Sequence, residues 1–140
     1  MNQLPILLVE DNDDDADLTA MAFREANISN PIVRARDGVE ALSRLHGASS
    51  EPLPVVVLLD LKLPKVGGIE VLKSIRENEA TKHLPVVVLT SSNEDRDRMD
   101  AYAHFANSYV RKPVDYDAFV VASRELGLYW TVTNVPPHRR

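Results

Sequence analysis

The chain has 140 residues, 44% of them hydrophobic and 26% charged, the composition of one globular domain long enough to bury a core. A disordered or membrane-embedded composition is excluded. Sixteen lysines and arginines face 21 aspartates and glutamates, a net charge of −5. Six of the acids, Glu10, Asp11, Asp13, Asp14, Asp15 and Asp17, fall within eight residues, and outside that window 15 acids face 16 bases. The acidity is therefore local. With no cysteine, neither a disulfide framework nor a thiolate metal site is available. The Met1–Pro5 segment lacks a basic leader region and no apolar run reaches the length of a membrane span, so a cytoplasmic protein with no membrane partner is expected. The absence of a long basic run argues against a nucleic-acid partner.

In chain order, Ile6-Leu7-Leu8-Val9 is a short, continuous apolar run of the kind that forms a strand buried on both faces of a parallel sheet. The acids that follow supply a helix start, with Asp13 or Asp14 as cap, and Leu18, Met21, Ala22 and Ala26 share one helical face. Ile32-Val33-Arg34-Ala35 is more polar and suits an edge strand. Asp37-Gly38 makes a turn before a helix whose apolar face carries Val39, Leu42 and Leu45. Val55-Val56-Val57-Leu58-Leu59 is the most apolar strand. Pro64 with Gly67-Gly68 then breaks the chain before a helix with Ile69, Leu72 and Ile75 on one face. Val86-Val87-Val88-Leu89 is the fourth strand, and residues Glu94 to Ala106 are helical by propensity with a thin apolar face. Asn107-Ser108-Tyr109-Val110 is a weaker fifth strand, and the stretch from Asp115 places Phe119, Val120, Ser123 and Leu126 on a last amphipathic helix. Strand and helix alternate five times, which selects an α/β doubly wound parallel sheet with right-handed crossovers and helices on both faces.

Ligands of open parallel sheets bind beyond the carboxyl ends of the strands. The residues ending the runs are Glu10-Asp11, Asp60, Thr90-Ser91 and Arg111-Lys112-Pro113, so three carboxylates, a hydroxyl and an ammonium converge on one rim. Oxygen ligands without His or Cys suit Mg²⁺. A carboxylate beside that ion can act as a nucleophile toward phosphorus, with the metal and an ammonium balancing the phosphoryl charge. Asp60, closing the central strand, is the best nucleophile candidate. His46, His83, His104 and His138 lack ligand spacing and read as surface residues.

Taken together, Glu10-Asp11, Asp60-Leu61-Lys62-Leu63-Pro64 with Gly68, Thr90-Ser91, and Tyr109 followed by Lys112-Pro113 resemble the receiver domain of bacterial two-component response regulators, in order and with family-like spacing over residues 4 to 128. The resemblance implies a five-stranded sheet of flavodoxin-like order 2-1-3-4-5. It implies that Asp60 is the phosphoacceptor, that Asp11, Asp60 and the backbone carbonyl of Lys62 ligate Mg²⁺, and that Glu10 acts through a bound water. Lys112 would pair with the phosphoryl group and precede a cis bond to Pro113. Thr90 would swing to hydrogen-bond the phosphate, Ser91 would be a further phosphoryl-binding residue, and Tyr109 would turn inward in response. Pro64 and Gly68 would shape the loop after the acceptor.

Simpler roles stand beside these. Asp13 to Asp17 form a solvated, dipole-favoured helix start, Ser91 with Glu94 has capping-box spacing, and Tyr109 can serve as edge packing. Glu10 stands where the family more often has Asp, and Lys62 and Ser92 occupy positions that influence phosphoryl loss. Gly67 stands where an acid is frequent, and no function attaches to it.

A receiver spanning 1–128 leaves 129–140 as a C-terminal extension, too short for an output domain. Its Tyr129-Trp130-Thr131-Val132 stretch, with Leu8-Val9-Glu10-Asp11-Asn12 and the aspartates after it, is similar to the regulators paired with phytochromes. That similarity implies a phytochrome-type sensor histidine kinase as donor and a homodimer through the fourth and fifth helices and the extension. The expectation is a switch without enzymatic turnover beyond its own phosphorylation and dephosphorylation. The alternatives are a Mg²⁺-dependent phosphohydrolase with an aspartyl nucleophile, in which an acid rather than Lys62 would follow two residues after Asp60, and a docking module that has lost phosphorylation.

Overall fold

The computed structural model describes residues 4–47, 52–90, 106, 108–111 and 116–128, with backbone alone at 90, 108–111, 122 and 126–128. The apolar runs form β1 (Ile6–Val9), β3 (Val56–Leu59) and β4 (Val86–Thr90), and the more polar run forms β2 (Ile32–Ala35). Between them lie α1 (Asp13–Glu25), α2 (Gly38–His46) and α3 (Gly68–Glu77). The segment Ser108–Arg111 pairs with β4 as β5, and a C-terminal helix covers Tyr116–Leu128.

The strand order is β2-β1-β3-β4-β5 and every described pairing is parallel. Buried strands with near-continuous branched side chains are what a sheet covered on both faces requires. Leu7, Val9, Val57, Leu59, Val86 and Val88 point to one face and pack with Ala41 and Leu45 of α2 and Val71, Leu72 and Ile75 of α3. Ile6, Leu8, Val56, Leu58 and Val87 point to the other, against Ala16 and Phe23 of α1. Ala22 and Ala26 of α1 meet Phe119 and Val120 of the C-terminal helix beside Leu89.

Four of the sequence expectations differ from the structure. The cap of α1 is Asn12, whose side chain accepts the Asp15 amide at 2.9 Å. Asp13, Asp14 and Asp15 therefore occupy the first turn, where the helix dipole favours negative charge. The buried face of α1 is Ala16, Thr19, Ala22 and Phe23, while Leu18 and Met21 are 40% and 48% exposed, because small residues let α1 sit close to the sheet and turn the longer ones outward. Val39 at the start of α2 is likewise half exposed, the inward positions being Ala41 and Leu45. Among the histidines, His46 is half-buried, its Nε2 3.1 Å from Ser74 Oγ on α3, and burial pushes its pKa below the usual histidine value. His83 is exposed as expected. The helix expected from Glu94 lies outside the described residues, as do His104 and His138.

Two glycines set how closely the helices approach the loop after β3. A Cβ on Gly68 would overlap the Asp60 carbonyl and the Leu61 Cα, and one on Gly38 would overlap the Val66 carbonyl. Gly68 also donates its amide to the Leu61 carbonyl at 3.1 Å, so the first turn of α3 rests directly on the Asp60 backbone. Gly68→Ala must push that loop or α3 aside, and we expect it to lower stability by about 1–3 kcal/mol, read as a lower urea midpoint with an unchanged slope.

Candidate functional site

Glu10 and Asp60 each follow the last residue of a strand, and those strands are paired in register, Val9 opposite Leu59. The Asp60 amide donates to the Val9 carbonyl at 3.1 Å and the Glu10 amide to the Ala35 carbonyl at 3.0 Å, which extends the ladder one step and fixes both backbones at the rim. Adjacent strands lie about 5 Å apart, so neighbouring side chains at their ends must meet. Glu10, Asp11 and Asp60 each offer a carboxylate oxygen, and the three atoms lie within 4.8 Å of one another. Glu10 and Asp60 are 1% and 5% exposed, whereas Asp11 faces solvent.

Local hydrogen bonds orient the two buried acids. The Lys62 amide donates to Asp60 Oδ1 at 2.9 Å, and the Asn12 amide reaches Glu10 Oε2 at 3.3 Å. At 4.8 Å and an effective dielectric of about 20, two ionised carboxylates repel by roughly 3–4 kcal/mol. An all-oxygen set with one solvent-facing member, and without histidine or thiolate, fits a hard divalent cation that keeps waters in its remaining positions. Glu10, Asp11 and Asp60 are the residues grouped closely enough to hold it.

The loop after Asp60 is fastened to α2. Lys65 has a left-handed backbone, φ 66°, and its Nζ lies 3.3 Å from Asp37 Oδ2. Asp37 caps α2 through the Glu40 amide at 2.8 Å. That amide bond, with Lys65 in support, holds the Asp37 carboxyl below the ordinary aspartate value. Gly67 is the cap of α3 and makes no side-chain hydrogen bond to it.

On the other side of the site Arg34 crosses from β2. Its Nε donates to the Glu10 carbonyl at 3.0 Å and its Nη1 to Asp13 Oδ1 at 2.7 Å, an oxygen also taken by Arg36 Nη1 at 2.7 Å. These two cations, Arg34 foremost, hold the Asp13 carboxyl below the ordinary aspartate value. Asp13 thus turns toward β2. Arg34 was not singled out by sequence reasoning, although a lone cation in a four-residue strand beside an acidic cluster is a visible signal.

Of the residues expected at the site, Glu10, Asp11, Asp60 and Lys62 come together, with Pro64 and Gly68 in the loop and helix start beyond. Thr90 ends β4 opposite Arg111 of β5, and Tyr109 pairs with Val88; the backbone alone is described for Thr90, Tyr109 and Arg111. Ser91, Lys112 and Pro113, with the cis bond expected at Pro113, lie outside the described residues, as do Ser92 and residues 129–140. No helix among the described residues is long and apolar enough to cross a membrane.

Comparison with known proteins bears on this arrangement. The sequence matches the response regulator receiver domain family over residues 6–124. The probable methanogenesis regulatory protein FilR2 of Methanothrix harundinacea is 43% identical over 134 residues, covering 94% of this chain and 86% of that one. Response regulator Rcp1 of Synechocystis sp. is 33% identical over 135 residues, covering 94% and 92% of the two chains. A crystal structure of the Mn²⁺-bound form of response regulator Rcp1 matches with a TM-score of 0.85 at 32% identity, over 97% of this chain and 100% of that one. The phosphorylated cyanobacterial phytochrome response regulator RcpA matches with a TM-score of 0.86 at 32% identity, over 97% and 99%.

The geometry makes a prediction of sign. Mn²⁺ at a hundred times its dissociation constant should stabilise the wild type by about 2.7 kcal/mol, whereas Asp11→Asn should lose most of that gain while being no less stable without metal. Urea unfolding of both proteins with and without Mn²⁺ checks it; an equal gain in both would exclude Asp11 as a ligand.

Proposed function

The chain belongs to the response regulator receiver family, and on that premise we propose that it is a phosphorylation-activated signalling switch whose phosphoacceptor is Asp60. The observation that carries this reading is the meeting of Glu10, Asp11 and Asp60 within 4.8 Å at the carboxyl rim of the sheet. The phosphoryl donor is a phosphohistidine of a sensor histidine kinase. An Asp60 carboxylate oxygen attacks phosphorus, the new P–O bond forms as the P–N bond breaks, and the departing imidazole retains the electron pair and takes up a proton. Transfer of this kind is catalysed chiefly by positioning and charge neutralisation. The Lys62 amide on Asp60 Oδ1 and the Val9 carbonyl on the Asp60 amide hold the acceptor still.

Mg²⁺ is the cation of this reading, held by Asp11, Asp60 and the Lys62 carbonyl with Glu10 acting through water. When bound it offsets the charge of the carboxylates and of the incoming phosphoryl oxygens. Lys112, Thr90 and Ser91 bind the phosphoryl group, and Thr90 and Tyr109 relay its presence to the β4–β5 side of the domain, which completes the flavodoxin-like order 2-1-3-4-5. Similarity to RcpA supports a phytochrome-type kinase as donor. The receiver spans 1–128 and acts in the cytoplasm by protein contact. The 129–140 extension joins the fourth and fifth helices in a homodimer, a role that half-exposed Val121 on the C-terminal helix suits. Turnover is limited to the protein's own aspartyl phosphate: Lys62, two residues after the acceptor, is no second acid for a phosphohydrolase.

Incubation with Mg²⁺ and acetyl phosphate should add one phosphoryl group by intact mass to the wild type and none to Asp60→Asn. An unmodified wild type, or a fully modified variant, would refute the assignment. Sustained multiple turnover of a phosphomonoester would favour the hydrolase instead.

A further inference from the structure

We infer that Arg34 is a positioning residue for the cation site, a role that rests on the metal-dependent reading above. Two of the three site carboxylates, Glu10 and Asp11, sit in the short turn between β1 and α1. That turn is bridged by one side chain from the neighbouring strand: Arg34 Nε holds the Glu10 carbonyl at 3.0 Å at its start, and Nη1 holds Asp13 at 2.7 Å at its end. The planar guanidinium presents these two donors in a fixed fork, so it fixes the separation of residues 10 and 13 and with it the path of Asp11 between them. Arg34 itself is anchored by the register that places it opposite Leu8.

Stability alone does not account for the arginine. Its Nη2 is buried without a hydrogen-bond partner among the described residues, a cost that an apolar side chain of similar length would not carry. Arg36 is the natural control, because it contacts the same Asp13 oxygen but makes no contact with the Glu10 carbonyl among those described. Charge and positioning also predict opposite signs. Removing a cation beside a carboxylate cluster would by Coulomb's law tighten cation binding. Loosening the turn that carries two ligands would weaken it.

The test is Mn²⁺ binding by the full chain, followed by electron paramagnetic resonance of the free ion, in wild type, Arg34→Met, Arg34→Lys and Arg36→Met. Arg34→Met should bind on the order of tenfold more weakly, the size of effect seen when supports of metal ligands are removed, while melting close to the wild type. Arg34→Lys, which keeps the charge but loses the fork, should fall between them, and Arg36→Met should bind as the wild type or tighter. Equal or tighter binding by Arg34→Met, full affinity in Arg34→Lys, or equal losses in the Arg34 and Arg36 variants would overturn the assignment. A wild type that binds no Mn²⁺ would remove the metal reading and this role with it. Amide hydrogen exchange in metal-free protein tests the bridge separately: Asp11, Asn12 and Asp13 should exchange faster in Arg34→Met, and unchanged rates would overturn the bridge even where the metal reading stands.

Discussion

Burying two carboxylates side by side at the end of an apolar sheet is the constraint around which the rest of this molecule is arranged. Glu10 and Asp60 are almost fully buried, and they meet because β1 and β3 are parallel and in register up to Val9 and Leu59. A shift of register by one residue would move the acids apart and also turn the apolar side chains to the wrong faces. The same packing that builds the core therefore concentrates negative charge at one rim. Buried charge of this kind is tolerated where it is hydrogen-bonded and compensated. The amides of Asn12 and Lys62 provide part of that compensation, and the chemistry of the oxygen set fits a divalent cation for the remainder.

Each surrounding element can be read as a response to that rim. The turn after β1 is held by the Asn12 cap and by the Arg34 fork. The loop after β3 is held by Gly68 beneath it and by the Lys65–Asp37 contact, which fastens it to the start of α2. A left-handed lysine costs on the order of 1 kcal/mol, and this one persists where Pro64 and the Gly38 contact leave the chain few other paths. A site fixed on two rigid strand ends, with loops tied to separate helices, is suited to turning a change of charge at Asp60 into a change of surface.

Much of this was legible in the residues because burial on both faces leaves a plain signature. The runs Ile6–Val9 and Val56–Leu59 are continuous and branched, and Ile32–Ala35 stood out as the polar edge. The acids closing the first and third runs were legible for the same reason, since a charged residue directly after a buried strand can lie only at the rim. Helix faces were harder to read. Leu18, Met21 and Val39 suggested inward faces by hydrophobicity, yet the buried positions include Ala16, Thr19 and Ala22 beside Phe23 on α1, and Ala41 beside Leu45 on α2. The cap at Asn12 was hidden by the aspartates beside it. The role of Arg34 depended on where a side chain on β2 reaches in three dimensions, which strand periodicity alone does not contain. The position of Lys65 in the left-handed region gave no local cue, as neither glycine nor asparagine marks it.

The ends of β1 and β3 together offer one candidate cation site. Its most direct test is the crystal structure of the protein grown with Mn²⁺, with anomalous diffraction recorded at the manganese edge. A single anomalous peak is expected, bounded by Asp11, Asp60 and the Lys62 carbonyl, with Glu10 beside it. A well-ordered site with no peak, or a peak held by other residues while these three carboxylates remain without metal, would contradict it.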